Sequence, residues 1–249
     1  MSRRPAIAAA LAGVLLLAGC SAAPTQEVAV PSADSAHPSS APSGGAPTTT
    51  PAVSPEATAA LAAAAASGDA AGVRAAIAAG ADIEARGSGG MTPLVAATKE
   101  NHVEAALALI DAGADVNAKD DIQDSAYLYA GARGHDEILR ATLTHGADLR
   151  STNRFGGTAL IPASERGLLA TVRILLDAGV DPDHVNRLHW TALHEAIVLG
   201  DGSARYAEVV RALIAGGADV GIRDGDGVLP RDLAATRGFD AIVAEIDRA

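Results

Sequence analysis

Apolar and polar positions along most of this chain follow two superimposed rhythms. The short rhythm is helical. Val103, Ala106, Leu107 and Ile110 fall at i, i+3, i+4 and i+7, and Leu168, Val172, Leu175 and Leu176 mark the same kind of stripe. Such a stripe predicts a helix with one buried face. The long rhythm is a period of 33 residues: Thr92-Pro-Leu, Ser125-Ala-Tyr, Thr158-Ala-Leu and Thr191-Ala-Leu recur at that spacing. A second marker, Gly80-Ala-Asp, Gly113-Ala-Asp, Gly146-Ala-Asp and Gly179-Val-Asp, runs in step with it. A fixed period of this length predicts stacked helical units. Gly68, Asn101, Gly134, Gly167 and Gly200 hold the predicted turn between the two helices of a unit, and the glycine of each Gly-Ala-Asp ends the second helix in the left-handed conformation. Order is predicted to begin at Ser54-Pro-Glu56, a side-chain cap followed by a preset φ and a charge favourable to the helix dipole. The first helix pair then spans 55–66 and 70–79. Later, Gly217 follows Gly179 by 38 residues and Gly238 follows Gly200 by 38, so five extra residues enter just after Gly200. The composition of 201–205 predicts a surface loop pointing away from the tips of the units, a length the chain tolerates, with a second contact surface as the alternative.

Recurring in phase, these motifs resemble the ankyrin repeat. Gly113-Ala-Asp-Val-Asn-Ala118 matches that family's Gly-Ala-Asp-Val-Asn-Ala in full, while Thr191-Ala-Leu-His194 and Gly134-His135 come close to its Thr-Pro-Leu-His and Gly-His. The resemblance runs from residue 57 to the C-terminus. It implies an all-α solenoid of helix–turn–helix units joined by short hairpin loops, each opened by Asp or Asn. The units are a capping pair at 55–86, repeats at 87–119, 120–152, 153–185 and 186–223, and a more polar cap at 224–249, since a terminal unit must present a wet face. Gln123 and His189 stand where the family places the hairpin glycine, which predicts distorted tips around Ile122 and Trp190.

Composition fits such an array. Aromatic residues make up 2% of the 249, too few for an ordinary core of this size but enough for units that each touch only their neighbours. A net charge of −11 argues against nucleic acid, whose binding rests on Lys and Arg, and favours encounter with a basic partner. The single cysteine excludes an intrachain disulfide. It also closes the first segment. Arg3 and Arg4 precede an apolar run at 6–19, shorter than the roughly 20 residues that span a bilayer, as in a secretory signal. The run ends in Leu17-Ala-Gly-Cys20, which resembles the bacterial lipobox. That resemblance implies removal of 1–19, diacylglycerol on the Cys20 thiol and acylation of the new amino terminus; two or more chains anchor stably where one does not. Loss of Arg3 and Arg4 takes the net charge from −11 to −13. Residues 20–54, rich in Pro, Ser, Thr and Ala, bury too little to offset their ordering entropy and read as a disordered tether, with O-glycosylation left open.

In ankyrin proteins partners are held by the hairpin tips and the first helix of each repeat, on the concave side. Carried over by position, this resemblance implies partner contacts at Ile122, Arg154, Phe155, Arg187, Leu188 and Trp190 on the tips and at Arg166, Val198 and Leu199 on first helices. Asp121, Asp124, Lys99, Glu100, Ala132, Arg133 and Glu165 flank them. Phe155 and Trp190 with the neighbouring aliphatics are expected to form an exposed patch, which soluble proteins seldom carry without a use, ringed by arginines that suit an interface. The alternative is that the tips stack on each other as local core. No metal, cofactor or catalysis is expected. His184, His189 and His194 lack a zinc spacing, and His102, His135 and His194 match structural histidines of the family. Asp224-Gly-Asp-Gly227 starts like a calcium loop but meets Ala235 at the twelfth position, and no pocket of convergent titratable groups is legible. The expected protein is a monomer that binds a basic, exported protein while lipid-anchored on the extracytoplasmic face of a bacterial membrane. Similarity to bacterial ankyrin lipoproteins also admits an adaptor, a protector of exported enzymes, or an immunity protein neutralising a secreted toxin or enzyme. A passive envelope spacer and an uncharacterised enzyme are the remaining alternatives.

Overall fold

A computed structural model describes residues 53–249. The expected signal segment 1–19, Cys20 and the expected tether up to residue 52 lie outside the described residues. Among the described residues the regular structure is helical, without strands. The first helices of successive units are α1 (Pro55–Ser67), α3 (Pro93–Lys99), α5 (Ala126–Arg133), α7 (Leu160–Glu165), α9 (Ala192–Val198) and α11 (Pro230–Thr236). The second helices are α2 (Ala70–Ala78), α4 (Val103–Asp111), α6 (Asp136–Thr144), α8 (Leu169–Asp177), α10 (Ala204–Ala215) and α12 (Asp240–Ile246). First helices pack on first helices and second on second, giving two layers. No helix among the described residues is long and apolar enough to cross a membrane.

Helices this short are marginal alone, so packing between units holds them. Leu61, Leu94, Tyr127, Leu160 and Leu193, one per unit, are at most 1% exposed, and burying each contributes about 1.5–3 kcal/mol. The next member of that row is Arg231, which is exposed and paired with Asp247. A charge there ends the stack with a solvated face. The residue opening most of these helices is a side-chain cap: Ser54 Oγ accepts from the Ala57 N–H, Thr92 Oγ1 from Val95, Ser125 Oγ from Leu128 and Thr191 Oγ1 from His194, whereas Thr158 makes no such bond and α7 starts behind Ala159. At the other end, carbonyls that the first helices would leave orphaned are met by the following unit. Ala66 O pairs with His102 Nε2 at 3.1 Å and Thr98 O with His135 Nδ1 at 3.0 Å. Ala132 O accepts from Arg166 Nη1 at 3.2 Å and Glu165 O from the Tyr206 hydroxyl at 2.8 Å.

The last of these bonds comes from the insertion, which is not the surface loop that its composition predicts. Helices α4, α6 and α8 start two residues after Asn101, Gly134 and Gly167, each at positive φ. In the fourth repeat the left-handed residue is Gly202, at φ 74°, rather than Gly200. Helix α10 has 12 residues where α4, α6 and α8 have 9. Two inserted residues therefore displace the turn, and three lengthen α10 at its start. Ala204-Arg-Tyr-Ala-Glu208 extends the helix behind Ser203 because this run contains mostly strong helix formers and because Tyr206 gains burial, at 6% exposed.

Candidate partner-binding groove

Each of the three central hairpins is fixed by its first residue. Asp120 Oδ1 accepts the N–H groups of Ile122 and Asp124, Asn153 Oδ1 those of Phe155 and Gly157, and Asn186 Oδ1 those of Leu188 and Trp190. In each hairpin the first residue's own N–H donates to the carbonyl four residues on. This local bonding sets the turn whatever residue follows. Gln123 (φ 67°) and His189 (φ 60°) are accordingly held in the same left-handed conformation as Gly156 (φ 76°). The distortion expected around Ile122 and Trp190 does not occur. The pinned loop absorbs the ~1–2 kcal/mol that such a φ costs a side-chain-bearing residue.

Because the tips are alike, residues one period apart share a position. Ile122, Phe155 and Leu188 form such a row and are 48%, 56% and 55% exposed. Gly89 and Asp226 hold the same position in the first and last tips, so the apolar row belongs to the three central hairpins. The row is stiffened between Phe155 and Leu188. The Arg187 N–H donates to Phe155 O at 3.1 Å, Arg187 Nη1 donates to Arg154 O at 2.8 Å, and the Arg154 guanidinium lies 4.7 Å from the centre of the Phe155 ring. Arg187 thus ties two tips together, and Arg166, bonded to Ala132 O, lies 3.8 Å from Glu165. Leu199 is exposed; Val198 is half-buried. Trp190 is half-buried as well. It sits at the foot of its hairpin, equivalent to Asp124 and Gly157 rather than to the exposed row.

Tips and first helices enclose a groove of about 310 Å³. Of the sequence-derived candidates, Arg154, Phe155, Arg166, Leu188 and Leu199 line it, whereas Ile122, Arg187, Trp190 and Val198 do not. The groove also collects Asp124, Arg133, Glu165 and Glu195, a convergence of titratable groups that the sequence did not announce. Glu195 is 5% exposed. Its Oε1 accepts from Asn186 Nδ2 at 2.8 Å, and its Oε2 is buried without a partner. Burial first, and the neighbouring Glu165 charge second, push the Glu195 carboxyl up to about 7, with the Asn186 bond opposing them. Burial also raises Asp124, although Lys99 lies 3.7 Å away. One signal could have found Glu195. It occupies the variable place in the Thr-Pro-Leu-His-x-Ala motif, and its equivalents Tyr129 and Pro162 line the same groove.

Among the described residues no Ser, Thr, Cys, Lys or His lines the groove, so it pairs no such nucleophile with a histidine or lysine base. The spaced histidines do not converge. His184 Nε2 pairs with Gly156 O at 2.7 Å, His189 is exposed at a tip, and His194 Nδ1 accepts the Thr191 N–H at 3.2 Å. Burial lowers the His194 pKa, which keeps the ring neutral and able to accept. Asp224 Oδ1 takes the N–H groups of Asp226 and Val228, as a hairpin requires.

A family model described as ankyrin repeats (3 copies) matches residues 45–120 and 127–224. Among solved structures, an ankyrin repeat domain from Acinetobacter baumannii is 52% identical, with a TM-score of 0.74 over 76% of this chain and 96% of that one. The ankyrin repeat protein EF0377 is 40% identical, with a TM-score of 0.74 over 77% of this chain and 98% of its own. The ankyrin repeat domain of Bcl-3, a member of the IkappaB protein family, is 26% identical, with a TM-score of 0.67 over 76% of this chain and 81% of its own. No curated protein matches the chain.

Proposed function

The chain belongs to the ankyrin-repeat family, a family of protein-interaction scaffolds, and from that premise we propose that it is a lipid-anchored module holding a protein partner across the central tips and the groove beneath them. The observation that carries this reading is the row Ile122, Phe155 and Leu188: three large apolar side chains, each about half exposed, at one position of successive tips. An aromatic ring alone can bury about 150–250 Å² against a partner, and a contiguous apolar patch seldom persists on a soluble surface without a use. The arginine over Phe155 and the tip-to-tip bonds of Arg187 hold the row in place before binding, which lowers the ordering cost. A photo-crosslinking residue in place of Leu188 is expected to give a discrete adduct with one cellular protein. The same residue in place of Arg140, exposed on α6 in the other layer, is expected to give none. Equal labelling from both positions would overturn the assignment of the surface.

Anchoring rests on the charged start at Arg3 and Arg4, the short apolar run and Leu17-Ala-Gly-Cys20. In this reading the module is a monomer held by lipid outside the cytoplasm. Its net charge of −13 after cleavage, two positive charges fewer than the −11 of the whole chain, favours a basic, exported partner. Cells grown in labelled palmitate are expected to tag the wild-type product and to leave a Cys20→Ser product unlabelled and uncleaved. Label retained by Cys20→Ser would remove the anchor from the proposal.

A further inference from the structure

We propose that the groove is a receptor for a lysine side chain of the bound partner, with Glu195 at its floor as the acceptor; the assignment rests on the partner-binding reading and names the chemistry at its centre. The other charges of the groove are already engaged. Arg154 lies 4.0 Å from Asp124, which also faces Lys99 at 3.7 Å. Arg166 bonds Ala132 O and lies 3.8 Å from Glu165, and Arg133 Nε donates to the Tyr129 hydroxyl at 3.3 Å. Among the described residues no cation forms an ion pair with Glu195. One of its oxygens is held by Asn186 and the other, though buried, has no hydrogen bond. Native proteins rarely leave a buried polar atom so, and an atom of this kind in the lining of a groove is what a ligand donor would complete.

The occupant's chemistry follows from what surrounds the carboxyl. Phe155, Leu188, Leu199 and Ile161 line the same groove, which suits an alkyl stem better than a compact cation, since lysine buries its methylenes along apolar surface and keeps charge at the tip. One free oxygen suits an ammonium, a point charge with three donors, whereas a guanidinium fork seeks two acceptors side by side. Glu165 adds a second negative charge within electrostatic reach of Glu195. An incoming ammonium would relieve that repulsion and convert Glu195 to its ionised form. Leu188 and Leu199, each more than half exposed, are the groove side chains with room to turn aside as the stem enters.

The chain carries its own reporter. Trp190 is the only tryptophan, and its backbone N–H and the Glu195 carboxyl both bond the Asn186 side chain. The test follows its fluorescence in the full chain at pH 8 during titration with an acetylated, amidated pentapeptide bearing one lysine between leucines, and with the norleucine version. The lysine peptide is expected to bind at least tenfold more tightly. Glu195→Gln is expected to abolish that preference while still binding the norleucine peptide, which shows that the variant's groove is intact, and Arg140→Ala, a change exposed on α6 in the other layer, is expected to keep the preference. Equal affinities in the wild type, or a preference that survives Glu195→Gln, would overturn the lysine assignment alone. Binding of neither peptide would sink the groove as a partner site altogether.

Discussion

Replacing Phe155 and Leu188 together by alanine is expected to weaken the captured partner's affinity by about 100-fold or more, with little change in stability. The size follows from interface energetics. A central apolar anchor contributes on the order of 1–2 kcal/mol or more when truncated, and each 1.4 kcal/mol is about tenfold. Two such anchors on adjacent, mutually bonded tips therefore cost about 3 kcal/mol, with some coupling expected because Arg187 joins the two tips through Arg154 O and Phe155 O. Stability should move little, because both side chains are more than half exposed and surface changes usually fall within about 0.5 kcal/mol. Within the folded chain the double substitution removes the stacking of Arg154 on Phe155, worth about 0.5–1 kcal/mol at an exposed site. Calorimetry with the partner recovered by crosslinking at position 188 measures the first quantity, and a thermal melt the second. A loss below about threefold with an unchanged melt would show that the tip row is not where the binding energy lies.

The layered fold was legible because it is a consequence of period; three members of the expected tip patch follow the same period, whereas Trp190, also expected there, stands half-buried two residues beyond Leu188. A stacked unit must repeat the residues that bury its faces, so Leu61, Leu94, Tyr127, Leu160 and Leu193 can be counted off by arithmetic, and so can Ile122, Phe155 and Leu188. What interrupts the period was harder to read. Residues 201–205 have loop-like Asp, Gly and Ser, yet Ala204 and Arg205 continue into helix-forming residues, and only the neighbouring carbonyl of Glu165 and the slot for the Tyr206 ring make the added turn worthwhile. Gln123 and His189 looked like defects because the rule of glycine at positive φ concerns one residue; the side chains of Asp120 and Asn186, three residues earlier, decide the turn. Glu195 could be placed on the groove side from its place in the motif, but its burial could not be read, for a related reason. Its burial depends on α7 and on the hairpin at Asn186, and nothing local to Ala192–Val198 states that an acid there faces neither water nor a cation.

Glu195→Gln is expected to stabilise the protein by about 3 kcal/mol at pH 8 and to change it little near pH 4.5. The folded carboxyl titrates at about 7, against a reference of 4.5. Between those values the unfolded chain gives up the proton that the native state keeps, so native stability falls as pH rises through the window and levels off above it. A shift of this size, at about 1.36 kcal/mol per unit, amounts to roughly 3 kcal/mol. Glutamine mimics the protonated side chain. It keeps an oxygen for the Asn186 amide and never has to ionise in a dry site. For a chain of this length the difference corresponds to roughly 6–12 °C in melting temperature. Subtracting the two melts at each pH isolates this group from others that respond differently. Glu245 and Asp247, lowered by Arg211 and Arg231, lose their contribution as pH falls, and Asp124 and Glu84, raised by burial, lose theirs as it rises. A difference that stays flat from pH 4.5 to 8 would mean that Glu195 is solvated or paired on opening, and the groove would then hold no unspent charge. A difference that grows as expected identifies a residue that costs the free protein stability at neutral pH. Such a cost is tolerated where function needs the strained group, and it is recovered in the complex when a partner's ammonium makes the ionised form the favoured one.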